Sequence, residues 1–370
     1  MKFSCEKYLL QNAITTASRA SAGKSPIPAL EGLLIDAGHS VKITGYDLKK
    51  GIYTSFPANI TEPGSVVLGA RLFGEIIRSL PDGEVLISSD SKNMTLISCG
   101  KAEFSIMGSD SADYPELPSV EGLSSISLPQ SKVKKMINET IFAVSDNESR
   151  PVYTGSLFEI EDNTLTMVSV DGYRLALRRE SIEKCDVSKT SFIVPGSSLS
   201  DLEKICTDID DPMTVSLGAK HISFSIGDTV LVSRRLEGEF LDYRKSVPSD
   251  FKVKLKAQRT SLQKVVDRVS LIIDDKIKNP LRCNFGMDNV SMTCVTPLGK
   301  AEDVCQIEGD GEGIEIGFNN RYLLDILKAA PADNIYVCLN NGSSPCVILP
   351  EGEDDSFKYM ILPVRLKSGE

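Results

Sequence analysis

The sequence predicts an α+β protein made of three repeated modules, each with two helices packed on antiparallel sheets. Three observations predict it. A chain of 370 residues is longer than one hydrophobic core usually spans, so two or three domains are expected. Apolar residues recur at helical spacing in six short segments, which fall into two sets of three at nearly constant steps. Between those segments lie alternating apolar runs broken by Gly, Asn and Asp, the pattern of strands and tight turns.

The first module (1–124) opens on a short strand and continues into LLQNAITTA, where Leu10, Ala13, Ile14 and Ala17 share a helical face. GLLIDAGHSVKITGYD reads as paired strands, ARLFGEIIRSLP puts Phe73, Ile76, Ile77 and Leu80 on a second helical face, and EVLISS returns to strand. The second module (125–249) repeats this order. Val133, Met136 and Ile137 mark its first helix, GSLFEIEDNTLTMVSVDG its strands, Leu199, Leu202 and Cys206 its second helix, and MTVSL its return. In the third (250–370) the same places hold Leu262, Val265, Val266 and Val269, then LRCNFGMDNVSMTCVTPLG, then Leu323, Ile326, Leu327 and Ala330, then IYVCL. The steps are 123 residues from Leu10 to Val133 and 129 from Val133 to Leu262. For the second set they are 126 from Phe73 to Leu199 and 124 from Leu199 to Leu323. Boundaries fall at turn-rich stretches near 122–125 and 248–250.

Several function classes drop out. No apolar run approaches the ~20 residues of a membrane span, and MKFSCEKYLL lacks the apolar core of a signal peptide. Nine scattered cysteines without a CxxC pair fit neither a disulfide framework nor a zinc site, so reduced, mostly buried thiols are expected. The two histidines, His39 and His221, cannot be assembled with a nucleophile and an acid into a catalytic set. SAGKS at 21–25 resembles the end of a phosphate-binding loop, but Ser18 stands where that motif needs Gly, and the stretch follows a helix. GDGEGIE at 309–315 lacks the ligand offsets of a calcium loop, and the paired acids Asp210-Asp211, Asp274-Asp275 and Asp354-Asp355 read as solvated charge.

The net charge of −10 argues against nucleic acid until its distribution is considered. The six predicted helices together carry +5, leaving −15 elsewhere. Lys and Arg favour helices in any case. The alternative is a helix-lined surface for a polyanion, with acidic sheets facing solvent.

The stretch VSVDGYRLALRR (168–179) reads as a hairpin turning at Asp171-Gly172. Its VDGYRLA (170–176) also carries a resemblance, with MKF at the start, PIPALEGLLI (26–35), GYDL (45–48), RPVYTGSLFE (150–159), LEGEFLDYR (236–244), EIGFNNRYLLDIL (315–327) and YMILPVRL (359–366). In this order and spacing the chain resembles, over its whole length, the β sliding clamps of bacterial replicative DNA polymerases. The resemblance implies a non-catalytic processivity factor without cofactor or metal, in the cytoplasm at the nucleoid. Two copies would close head to tail into a ring with helices around duplex DNA. A specialised paralogue serving repair or a mobile element is the alternative. Implied partners are the replicative polymerase, the clamp loader, repair polymerases and mismatch-repair proteins, all through short linear motifs.

Carried over by position, the implied peptide site comprises Val152, Tyr153, Val170, Gly172, Tyr173, Arg174, Leu175, Leu241, Lys245, Ser246, Tyr322, Ser343, Pro345, Met360, Ile361, Leu362, Pro363, Val364 and Arg365. Met360, Leu362 and Val364 are expected to face Val170, Leu175 and Leu241 across a groove, with regular pairing stopping near Pro363. A Gln-Leu-x-Leu-Phe-like peptide is the expected guest. The chain departs from the family at Tyr173, where His is frequent, at Leu241 (Pro), at Lys245 (Arg) and at Ser246, which replaces a larger apolar residue. It also runs on through a 367–370 tail, and its loop at 194–198, VPGSS, lacks the basic residues of some relatives. Candidate DNA contacts are Lys24, Arg71, Arg78, Lys132, Lys134, Lys135, Arg259, Lys264, Arg268, Arg321 and Lys328. Candidate dimer residues are Phe104, Ile106, Leu271 and Ile272, with Lys101 pairing Glu302 or Asp303 across the joint.

Overall fold

The computed structural model describes residues 1–120, 124–182, 189–274, 279–352 and 355–366. Residues 122–123 of the first expected boundary, Cys185, Asp275, Asp354 and the 367–370 tail lie outside the described residues.

All six expected helices form: α1 (Lys7–Ala17), α2 (Ala70–Ser79), α3 (Gln130–Thr140), α4 (Gly196–Ile205), α6 (Arg259–Ser270) and α7 (Asn320–Ala329). The one-turn helix α5 (Tyr243–Ser246) has no counterpart in the apolar periodicity. Each long helix follows a strand and buries the face that its spacing marks, such as Phe73, Ile76 and Ile77 on α2. In two of the pairs the first helix also caps the second. Lys7 at the start of α1 donates to the Leu80 carbonyl at 2.5 Å, just past α2. Arg259 at the start of α6 donates to the carbonyls of Leu327 and Ala332, both at 3.0 Å, at the end of α7. A cation at a helix C-terminus satisfies orphan carbonyls and complements the dipole.

The chain packs as two compact units, Met1–Ser131 with Asp201–Arg235, and Lys132–Ser200 with Leu236–Glu370. The first holds a five-stranded antiparallel sheet ending at the Ala102–Met107 strand. It also holds an eight-stranded sheet in which Thr229–Arg234 pairs with Lys50–Phe56. The second holds a ten-stranded sheet in which Arg174–Ser181 pairs with Phe357–Ile361 and the long Leu281–Thr296/Gly299–Phe318 hairpin forms one end. The units therefore follow continuous sheets: the eight-stranded sheet joins strands of the first and second repeats and the ten-stranded sheet those of the second and third, while the five-stranded sheet lies within the first.

In the first unit α1 and α2 cover a core containing Phe3, Leu33, Ile35, Ile43, Phe73 and Ile77. In the second, α6 and α7 cover Leu255, Val266, Phe318, Leu327, Ile335 and Tyr359. Each such side chain contributes about 1.5–3 kcal/mol by leaving water. The eight described cysteines are buried and form no disulfide with one another, and burial pushes the Cys5 thiol up to about 12 and Cys338 to about 11.

Candidate functional site

The turn at Asp171-Gly172 is held by its own side chains. The Asp171 carboxylate accepts from the backbone N–H groups of Tyr173 (2.8 Å) and Arg174 (3.0 Å), and Gly172 takes a φ of +92°. A Cβ at Gly172 would meet nothing within 4 Å, so glycine is needed there for its backbone angle and not for a close approach. Arg174 then clamps the corner. It bonds Asp171 at 2.9 Å and Asp325 on α7 at 2.5 Å, and its guanidinium lies 4.3 Å over the Tyr322 ring and 5.4 Å from Phe142. Tyr173, 62% exposed, stacks beside Tyr322 with centroids 6.1 Å apart.

A hollow of about 530 Å³ opens next to this corner. Its walls include Tyr173, Tyr322, Leu362, Pro363 and Val364 together with Ile273, Asn279, Pro280 and Arg321. The Phe357–Ile361 strand stops before Pro363 as its missing N–H requires, leaving two anchors, Leu362 N–H to Tyr173 O and Val364 N–H to Gly317 O, both 2.8 Å. Met360 lies elsewhere. It packs with Val170, Leu175 and Val347 in an apolar cluster whose half-buried rim includes Val152, Tyr153, Leu241 and Val247. The expected single row of Met360, Leu362 and Val364 is thus two neighbouring surfaces, one around Met360 and one around Leu362 and Val364. Ile361 is fully buried in the core under α7, so it supports the strand and cannot meet a guest. Lys245 and Ser246 sit on α5 bonded to Asp242. Ser343 turns onto Asn341, Pro345 precedes the Cys346–Ile361 strand pair, and Arg365 is exposed.

The predicted DNA-facing cations divide sharply. In the first unit Arg71 and Arg78, joined by Arg19 from outside the predicted set, edge a hollow of about 440 Å³ between α1 and α2, Arg71 pairing with Glu75 at 3.1 Å. Lys24 is exposed. In the second unit Lys135, Lys264, Arg321 and Lys328 are exposed, and Lys134 is half-buried. Three others are spent on the fold: Arg259 caps α7, Lys132 donates to the Ser181 carbonyl at 2.7 Å, and Arg268 bonds Asp303 at 2.7 Å. Asp303 and Glu302 likewise find partners within the chain, Glu302 through Lys300 at 2.6 Å.

The backbone of the Arg174 corner occurs twice. At the earlier site Asp47 accepts from the N–H groups of Lys49 (2.8 Å) and Lys50 (2.7 Å), and Lys50 reaches Asp201 on α4. The Lys50–Asp201 and Arg174–Asp325 pairs each join residues 151 apart. Arg234 N–H to Lys49 O (2.9 Å) repeats Leu362 N–H to Tyr173 O. A third copy is half built. Thr296 Oγ1 accepts from Leu298 N–H at 3.1 Å, and the Val295–Lys300 pair stands where Tyr46–Gly51 and Val170–Leu175 stand in the other two. Here, among the described residues, the Gly299–Phe318 strand pairs beyond its own hairpin only at Glu308, with Lys256, and at Gly317, with Val364, so its first residues, from Gly299 on, pair with the hairpin alone. The Ala102–Met107 strand, the first repeat's counterpart of Thr229–Arg234 and Phe357–Ile361, ends its own sheet and, among the described residues, pairs on one side only.

Comparison with known proteins agrees with this threefold frame. Models of the N-terminal, central and C-terminal domains of the DNA polymerase III beta subunit match residues 1–118, 127–242 and 244–365. The beta sliding clamp of Staphylococcus aureus is 32% identical, with 99% of each chain covered, and that of Staphylococcus epidermidis is 33% identical over the same shares. The chain belongs to the beta sliding clamp family.

Solved structures of that family superpose closely. A putative DNA polymerase III beta subunit from Eubacterium rectale has a TM-score of 0.93 at 33% identity, covering 99% of this chain and all of that one. The Bacillus subtilis sliding clamp gives 0.93 at 30% identity with the same coverage. Within this clamp-family chain the sequence reading missed Ile273, Asn279, Pro280 and Asn319 around the hollow. They come from the entry to the third module's hairpin and from the start of α7. Only the Asn before an apolar helical run, an N-cap signal, hinted at one of them; Asn319 indeed accepts from Arg321 and Tyr322 N–H.

Proposed function

We propose that two copies of this chain close head to tail into a ring around duplex DNA, acting as a non-catalytic processivity clamp of the DNA polymerase III beta type. One observation carries the assembly: two joints inside the chain pair the same two kinds of strand, and among the described residues the third pair of such strands is left open, one on Ala102–Met107 and one from Gly299 onward. Open edges of this kind need a partner, and a heterologous contact that closes after two subunits supplies it to both. The repeat also proposes the contact. At the second joint Phe142, just past α3, lies edge-on to Tyr359 with centroids 5.6 Å apart. The corresponding residues at the open joint are Leu271, 84% exposed, and Phe104, 37% exposed.

In this reading enclosure retains the DNA, so the exposed cations Lys24, Arg71, Arg78, Lys135, Lys264, Arg321 and Lys328 contribute weak, register-free phosphate contacts. That suits a protein of net charge −10. The Tyr173–Tyr322–Leu362 hollow and the Met360 surface would take a short apolar peptide from the polymerase, the clamp loader or repair proteins. Among the described residues no helix is long and apolar enough to cross a membrane, and action at the nucleoid follows from the DNA reading. The specialised-paralogue alternative is not favoured, since the curated relatives matching end to end are beta sliding clamps. The test is retention on DNA after loading. The ring should stay on closed circles and leave linear ends, and tight sequence-selective binding to a linear oligonucleotide would refute it.

A further inference from the structure

Beside each joint strand the repeat places a second pair of side chains. Thr16, Glu139 and Arg268 are each the tenth residue of their helices, α1, α3 and α6. The joint strands carry Thr54, Arg178 and Asp303 at matching places in the hairpin register. In the first joint this pair is neutral, and Thr54 bonds Thr229 on the neighbouring strand at 2.8 Å. In the second, Glu139 and Arg178 form an ion pair at 2.6 Å, with side chains only 8% and 6% exposed, and Arg178 lies opposite Phe357. In the third, Arg268 and Asp303 form the same pair at 2.7 Å with the polarity reversed.

The difference is exposure. Arg268 is 57% and Asp303 29% exposed, because among the described residues no strand pairs with Asp303 where Phe357–Ile361 pairs with Arg178's strand. We propose that Arg268 and Asp303 form the strut of the joint between two copies, buried when the Ala102–Met107 strand of a second copy adds to the open edge. This rests on the ring reading above. The strut assigns Arg268 to assembly, although its charge and its place on α6 group it with the DNA-facing cations. Transferring the register of the two inner joints puts Asp303 opposite Ala102 of the second copy, and Ala301 opposite Phe104. The small Ala102 leaves room for the guanidinium above it. Gly299 stands where Lys50 and Arg174 reach their helix carboxylates, so the cation of the two inner joints is missing from the open one.

The experiment is a double-mutant cycle on the full chain. Arg268→Glu, Asp303→Arg and the double reversal are compared with wild type by sedimentation over nanomolar to micromolar concentrations, with melting followed in parallel. Each single reversal should weaken the dimer by about tenfold or more, and the double, which copies the Glu139–Arg178 polarity, should recover most of that loss. Lys264→Glu, on the same helix and exposed, should leave the dimer unchanged. Singles as tight as wild type, or a double as weak as the singles with unaltered melting, would overturn the strut. Phe104→Asp separates the two readings. If it dissociates the dimer while the reversals do not, the edge reading stands and the strut falls. A monomeric wild type removes both.

Discussion

The two joints inside the chain share a backbone and differ in what they offer to solvent. Both turn on an aspartate, both carry a cation that reaches the sixth residue of a helix, and both end in the same strand-to-turn hydrogen bond. At the first, the turn and the adjoining strand end present Lys49, Arg234 and Arg235. At the second, the equivalent places hold Tyr173, Leu362 and Pro363, and Tyr322 stacks with both Tyr173 and Arg174. The same frame is a polar seam in one place and an apolar hollow in the other. A joint becomes a recognition site here through side chains at a few turn and strand-end positions, without a change of fold.

The largest expected effect is at the joint that is open. Leu271→Asp or Phe104→Asp would put an unpaired charge into an apolar seam, at a cost of several kcal/mol. Sedimentation should then give a monomer that melts like the wild-type chain. A dimer that survives both changes would break the analogy between the inner joints and the open one.

Next come the two cations. Lys50 and Asp201 are both about nine-tenths buried, so Lys50→Met leaves a buried carboxylate unpaired and should cost about 3–5 kcal/mol of stability. Asp325 is 40% exposed and Asp171 keeps two backbone N–H donors, so Arg174→Met should cost less, about 1–3 kcal/mol. Only the second change should weaken peptide binding, because only Arg174 supports the tyrosine stack. Equal melting losses from the two would show that burial of the acid does not set the difference.

Peptide binding measured calorimetrically should fall about tenfold for Tyr322→Ala and for Leu362→Ser, each losing an apolar contact of roughly 1–2 kcal/mol. Ser198 and Arg234, at the corresponding places of the first joint, should tolerate alanine with no change in that affinity. A loss there would mean that the peptide engages the wrong joint.

The smallest effect separates the two turns. Leu48, at the place of Gly172, holds a φ of +71°, a strained angle for a leucine that is 47% exposed. Leu48→Gly should therefore be neutral or stabilising by up to ~1 kcal/mol, whereas Gly172→Ala should cost about 1 kcal/mol from its backbone angle alone. Thermal melting of the pair checks the sign.

Much of this was legible in the sequence. Six amphipathic segments at near-constant steps determined six helices and the threefold order, because helical periodicity is a local property that survives in any tertiary setting. The Asp-Gly turn and the strand end before Pro363 were local in the same sense. What the sequence could not decide was which charges are available. Lys132, Arg259 and Arg268 look like the other helix cations, yet a carbonyl or carboxylate far along the chain claims each of them. The residues that complete the hollow, Ile273, Asn279 and Pro280, likewise reach it only because the third module's hairpin begins beside the last strand. Nor could composition divide the YMILPVRL run into a buried Ile361, a Met360 on one surface and a Leu362 on another. Those assignments depend on contacts between segments distant in sequence, and strand register, which sets them, is decided only when whole sheets pair.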